Sequence, residues 1–187
     1  MVSKSNPNKM IDVEKIKEIH NAIIVRLFLI VFPPIGEDNI SDVDIRLGLV
    51  LKNNPEVLFT IGTDINDIWS PIINEESIPL FSFNEFDFDE RVKLWMKQEL
   101  NDEITLEYFD FTNSENFKEI VGKKIEEVEL IMVEGNPDPF GIKIIFENDF
   151  IISFPNSDGN TIETKKFNKS ENLKNFNHLG KVIYRKV

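Results

Sequence analysis

The stretch "DVDIRLGLVLKNNPEVLFTIG", residues 42–62, constrains the fold more than any other part of the chain. Val43, Ile45, Leu47, Leu49 and Leu51 recur at every second position, so an extended strand puts all five on one face. "NNPE" then supplies turn residues, and "VLFTIG" (57–62) returns antiparallel. Residues 24–32 read as a buried, β-branched strand ending at Pro33-Pro34. The second half has the same character: "KKIEEVELIMV" reads as a strand and "FGIKIIFENDFIISF" as a hairpin closed around Glu147, Asn148 and Asp149.

Aligning the halves exposes matches. Lys17-Glu18-Ile19 recurs as Lys118-Glu119-Ile120, and Leu29 and Val31 match Ile131 and Val133 at an offset near 102. Leu51 then pairs with Phe146, Asn53 with Asn148 and Asp64 with Asp158, at 94 or 95. One reading is a duplicated helix–strand–hairpin unit, with pseudo-repeats at 10–75 and 114–170 joined by a connecting segment, 76–113. The other is chance similarity between two amphipathic β patterns. Ile11, Val13, Ile16, Ile19 and Ile23 fit a helix near 10–22, and further helices are expected near 90–100 and 114–121. The expected fold class is α+β, mainly antiparallel sheet with a few short helices, in a single domain, 10–187, behind a flexible N-terminus, 1–9.

With 41% hydrophobic residues and 16 phenylalanines, a chain of 187 residues can fill a real core. It has no cysteine, which removes disulfides, thiolate metal sites and cysteine nucleophiles. The longest apolar run, 22–32, carries Arg26 and is far short of the roughly 20 residues that a membrane helix needs. It does not resemble a secretory signal either, so a cytoplasmic location is expected.

The net charge of −12 is unevenly spread: residues 37–134 hold 24 acids against 8 bases, and residues 164–187 hold one acid against seven bases. Such a field repels nucleic acid and membrane phosphates and speeds encounter with basic proteins. Direct nucleic-acid binding is therefore not expected.

Little in the sequence points to catalysis. His20 and His178 lie in no metal-binding spacing, no Gly-x-Ser-x-Gly elbow exists, and the eight glycines form no phosphate loop. "NSDGNTIE" (156–163) misplaces both the glycine and the glutamate of a calcium loop, and reads better as a tight turn. No cofactor and no metal are expected, although 33 acids leave a carboxylate-based hydrolase open.

The segment "FSFNEFDFDERV" (81–92) sets four phenylalanines among four carboxylates. Phe81 and Phe83 read as core on a short strand, with a kink at Asn84-Glu85. Asp87 and Glu90 have capping-box spacing ahead of "RVKLWMKQEL". "EYFDF" (107–111) repeats the mixture. The candidate partner-binding residues are Glu85, Phe86, Asp87, Phe88, Asp89, Glu107 and Asp110, with the aromatics supplying burial and the carboxylates steering.

The stretch "IVGKKIEEVELIMVEGNPDPFGIKIIFENDFIISFPNSDGNTIET" resembles the β-rich immunity proteins of bacterial polymorphic and contact-dependent toxin systems. In those an "IGKxI" turn leads into a strand, then a glycine-led hairpin and an acidic loop. The matching residues here are Val121-Gly122-Lys123-Lys124-Ile125, Gly141, Phe146, Asn148 and Asp158. The resemblance implies a small cytosolic, non-catalytic inhibitor that occludes a cognate basic toxin, such as a nuclease. An acidic mimic of nucleic acid that occupies a DNA- or RNA-binding protein is the alternative.

Overall fold

A computed structural model describes residues 13–33, 43–64, 67–99, 105–156, 159–169 and 171–187. The 1–9 terminus, Ile11, Leu100 and Asp158 lie outside them. The first half opens with helix α1 (Val13–Ile19). An antiparallel meander of β1 (Ile24–Val31), β2 (Ile45–Leu51), β3 (Asn54–Asp64) and β4 (Asp67–Ser77) follows. A two-residue strand β5 (Phe83–Asn84) and helix α2 (Glu85–Met96) precede β6 (Glu107–Asp110), which returns to the far side of β1, giving the order β4-β3-β2-β1-β6-β5.

The second half repeats this plan. Strands β7 (Glu127–Val133), β8 (Gly141–Ile145), β9 (Phe150–Pro155) and β10 (Asn160–Glu163) form a second meander. A 3₁₀ helix, Asn172–His178, leads to β11 (Val182–Lys186) on the far side of β7, and the order is β10-β9-β8-β7-β11. The structural repeat thus extends beyond the matched segments. Residues 76–113, expected to be a connection, supply β5, α2 and β6, and their counterpart is the 3₁₀ helix with β11.

The halves meet through backbone hydrogen bonds of two-fold character. Asn21 N–H donates to Ile125 O at 3.2 Å and Gly122 N–H to Ile24 O at 2.8 Å. Ile125 N–H donates to Ala22 O at 2.8 Å and Ile24 N–H to Lys123 O at 3.2 Å. A shift of 101 residues turns one bond of each pair into the other, and it carries Ile23 onto its bridge partner Lys124. A local two-fold axis imposes this pattern. Asn21 (φ 64°) and Gly122 (φ 80°) take left-handed backbone at the equivalent point, where each ends the segment before it.

The segment 114–121, expected as a helix, is a succession of turns: Phe117 N–H donates to Ser114 O and Ile120 N–H to Phe117 O. Ser114, Phe117 and Ile120 are all buried at a spacing of three, which three-residue turns align better than an α-helix does.

The two sheets pack face to face, β2 and β3 lying against β9 and β10. Leu27, Leu29, Leu47, Leu49, Phe59 and Ile61 from the first sheet share one core with Val128, Leu130, Ile142, Ile144, Ile151 and Ile162 from the second. Each such side chain contributes about 1.5–3 kcal/mol through burial. Phe28, Ile30, Val50 and Leu58 form a separate cluster on the outer face of the first sheet. Strand β1 is apolar except at Arg26, because it is central and covered on both sides over Leu27–Val31.

"NSDGNTIE" contributes a polar tie between the sheets. Asn160 is fully buried; its Nδ2 donates to Ile45 O at 2.7 Å, its backbone N–H to Asp44 Oδ1 at 2.9 Å, and Ser153 Oγ donates to its Oδ1 at 3.1 Å. Asn156 Nδ2 adds a bond to Val43 O at 3.1 Å. Replacing Asn160 with alanine leaves buried polar groups orphaned, and urea denaturation should show a loss of about 1–3 kcal/mol. An unchanged midpoint would mean that the sheets are held by apolar packing alone.

Candidate partner-binding surface

Strands β4 and β5 occupy opposite edges of the first sheet, so residues 78–82 have to cross its outer face between them. Ile78 packs into the outer cluster with Phe28, Ile30, Val50 and Leu58. Past Pro79 the chain turns its apolar side chains outward: Leu80 is fully exposed and Phe81 is 68% exposed. The crossing ends at β5, where Phe83 pairs in parallel register with Phe109 of β6.

Helix α2 starts at the next residue, Glu85. Asn84 is its N-cap, and the Asn84 N–H donates to Asp87 Oδ2 at 3.0 Å. The capping box is therefore Asn84-x-x-Asp87 rather than Asp87-x-x-Glu90, and the expected kink at Asn84-Glu85 is the junction of strand and helix. Phe88, Val92 and Trp95 face inward. Phe88 meets Phe109, Phe111 and Phe167 edge-on, with ring centroids 5.2, 5.4 and 6.0 Å apart. On the opposite side Phe86 is 85% exposed, and Asp89 and Glu90 share its face at helical spacing.

Glu107 locks the helix to the sheet. Arg91 Nε donates to its Oε2 at 3.0 Å, a second guanidinium nitrogen of Arg91 bonds Oε1, and Trp95 Nε1 donates to the same Oε1 at 3.0 Å. The Arg91 guanidinium also lies 4.1 Å from the centre of the Phe83 ring. Asp110 is held on the opposite face of β6: Arg26 donates to it at 2.7 Å and Thr112 N–H at 2.9 Å. Burial pushes the Asp110 carboxyl up, but the bonds from Arg26 and Thr112 outweigh it and hold it below the ordinary range.

The seven expected binding residues therefore divide. Glu85, Phe86 and Asp89 remain at the surface, where Leu80, Phe81 and Glu90 join them. Phe88 has no exposed edge to offer; it is core, since its ring fills the gap between α2 and β6. Asp87 caps the helix, while Glu107 and Asp110 are occupied by arginine. Phe81, expected in the core, points outward because the strand that was to bury it is only the pair Phe83–Asn84.

Charge is concentrated on this half. Residues 10–113 hold 21 acids against 8 bases, whereas residues 114–187 hold 12 against 11. The histidines have structural bonds: His20 Nε2 donates to Glu126 O at 3.1 Å while Nδ1 accepts from Asn21, and His178 Nδ1 bonds Asn175 O. Among the described residues no group of three or more His, Asp or Glu is placed to hold a metal ion, and no helix is long and apolar enough to cross a membrane. No family model, curated protein or solved structure matches the chain.

Two substitutions test the anchoring of this surface. Glu107→Gln weakens the bond to a mostly buried Arg91; thermal or urea unfolding followed by Trp95 fluorescence should show a loss of about 2–3 kcal/mol, below the full cost of breaking a buried pair. Because the folded-state pKa of Asp110 is lowered, its contribution is complete above the unfolded carboxylate value near ~4 and is lost as pH falls through the folded value. Asp110→Asn should therefore be less stable than the parent at pH 6, with the gap closing towards pH ~2. A gap independent of pH would show that charge at Asp110 is not the source.

Proposed function

We propose that this protein is a non-catalytic acidic binding protein of the immunity type, which seats the N-terminal surface of α2 and the 78–82 crossing against a basic toxin and occludes its active or substrate-binding surface. The observation that carries this reading is that Leu80, Phe81 and Phe86, three large apolar side chains within seven positions of the chain, are all exposed, with Glu85, Asp89 and Glu90 among and after them in sequence. Single exposed hydrophobic residues are ordinary, but a cluster rimmed by charge is the composition of a protein-docking site. Burying each of the three would supply about 1.5–3 kcal/mol, and the carboxylates would set the approach and reject anionic competitors.

The partner class follows from charge. An acidic rim complements a cationic surface, and an enzyme acting on nucleic acid carries such a surface around its substrate cleft. The apolar trio favours one dedicated partner over a general mimic of nucleic acid, because a mimic works through charge alone and gains nothing from exposed Phe86 and Leu80.

The test is binding to, and protection against, the product of the neighbouring gene. The variant Leu80→Ser/Phe81→Ser/Phe86→Ser should bind at least 100-fold more weakly, as about 3 kcal/mol of lost burial requires, while remaining folded, with stability lowered by no more than the roughly 0.5–1.5 kcal/mol of the edge-on contact of Phe81 with Phe83. A parent protein that neither binds nor protects sinks the proposal, and so does a triple variant that binds as well as the parent.

A further inference from the structure

The exposed ring of Phe81 has a partner. It meets Phe83 at a right angle, with centroids 5.0 Å apart and planes at 84°. Phe83 is half-buried against the core and lies 5.4 Å from Phe109, which in turn meets Phe88 of α2 edge-on at 5.2 Å. A continuous path of packed rings therefore runs from Phe81 on the crossing through β5 and β6 into α2, which carries Phe86 two positions before Phe88.

Phe83 is itself clamped. The Arg91 guanidinium lies 4.1 Å from the centre of its ring while bonding both carboxylate oxygens of Glu107. A planar guanidinium can do both at once, because its edge fits a carboxylate and its face lies on a ring. A lysine would pair with Glu107 as a point charge and has no face to lay on Phe83. Residues 80–82 belong to no strand, and at 68% exposure the Phe81 side chain has little besides Phe83 to fix its direction.

We infer that Phe83 and Arg91 are positioning residues for partner binding: they fix the exposed Phe81 ring, before a partner arrives, in a set relation to α2 and so to Phe86. The role, though not the placement, rests on the partner-binding reading above. An anchor ring that is already held loses less freedom on docking than one that turns freely, so the same contacts give a higher affinity. Two anchors in a fixed relation also fit one partner surface and do not repack onto others.

Nuclear magnetic resonance of the free full chain tests the placement, with the Phe81 signals identified by their loss in Phe81→Ser. Three-bond couplings should show Phe81 in a single χ1 rotamer. In Phe83→Leu and in Arg91→Lys they should move towards the averaged values of a freely turning side chain, with far-UV circular dichroism confirming that both variants are folded. Binding to the product of the neighbouring gene tests the role. Phe83→Leu should weaken it roughly three- to ten-fold, the cost of immobilising one side chain on docking, and should weaken it no further in a Phe81→Ser background. A Phe83 that only supports the fold would cost the same affinity in both backgrounds, and that result overturns the proposal. So does a Phe81 that is averaged in the free parent, or one that stays equally fixed in either variant. A parent that does not bind overturns the partner-binding reading and the role together, while the couplings still decide the placement.

Discussion

Four backbone hydrogen bonds between residues 21–24 and 122–125 hold the architecture in register. They fasten the start of β1 to the start of β7, so each meander leaves the same point and runs outward with its apolar face turned to the other. The shared core follows from that placement: Leu47 and Phe59 on one sheet and Ile142 and Ile151 on the other have a common interior only if both sheets begin side by side. The left-handed residues Asn21 and Gly122 make the geometry accessible, since both the helix and the turn series have to stop abruptly for the backbone to pair.

Around that frame the two repeats close their outer faces differently. The second lays its 3₁₀ helix on Phe140 and Phe154, stacking Phe176 against Phe140 with ring centroids 4.4 Å apart. The first sends an extended crossing over its sheet and returns a longer helix, held by Arg91, Trp95 and Glu107. Ile78 goes in, but past Pro79 the chain no longer keeps the two-residue alternation of a strand, and Leu80 stays out. The candidate surface is the exposed remainder of a segment whose other residues are committed to the fold.

Much of this was legible in the residues. Alternation at 43–51 and the hairpin at 141–155 marked β2, β8 and β9, while Lys17-Glu18-Ile19 and Lys118-Glu119-Ile120 lie just before the segments 21–24 and 122–125 that pair. Strand β4 was hidden by Pro71, which reads as a breaker in a central strand but is tolerated at an edge, where a missing N–H costs nothing. In "EYFDF" the alternation was present, with Phe109 and Phe111 buried and Asp110 turned away, yet a four-residue strand gives too short a pattern to separate from an acidic surface. The roles of Glu107 and Asp110 depended on Arg91 and Arg26; Arg26 lies 84 positions from Asp110, and no local rule relates such pairs. Exposure of Phe86 against burial of Phe88 was likewise set by which side of α2 met β6.

The pairing of Ile23 with Lys124 is the contact of a symmetric dimer, made within one polypeptide. In a true homodimer every surface occurs twice, so a substitution that makes one end acidic makes the other end acidic too. Joining the halves in one chain removes that obligation. One half can accumulate carboxylates while the other stays near neutrality, as the contrast between residues 10–113 and 114–187 records. The covalent link between repeats is therefore what gives this molecule a polarity, with two unlike ends on a symmetric frame.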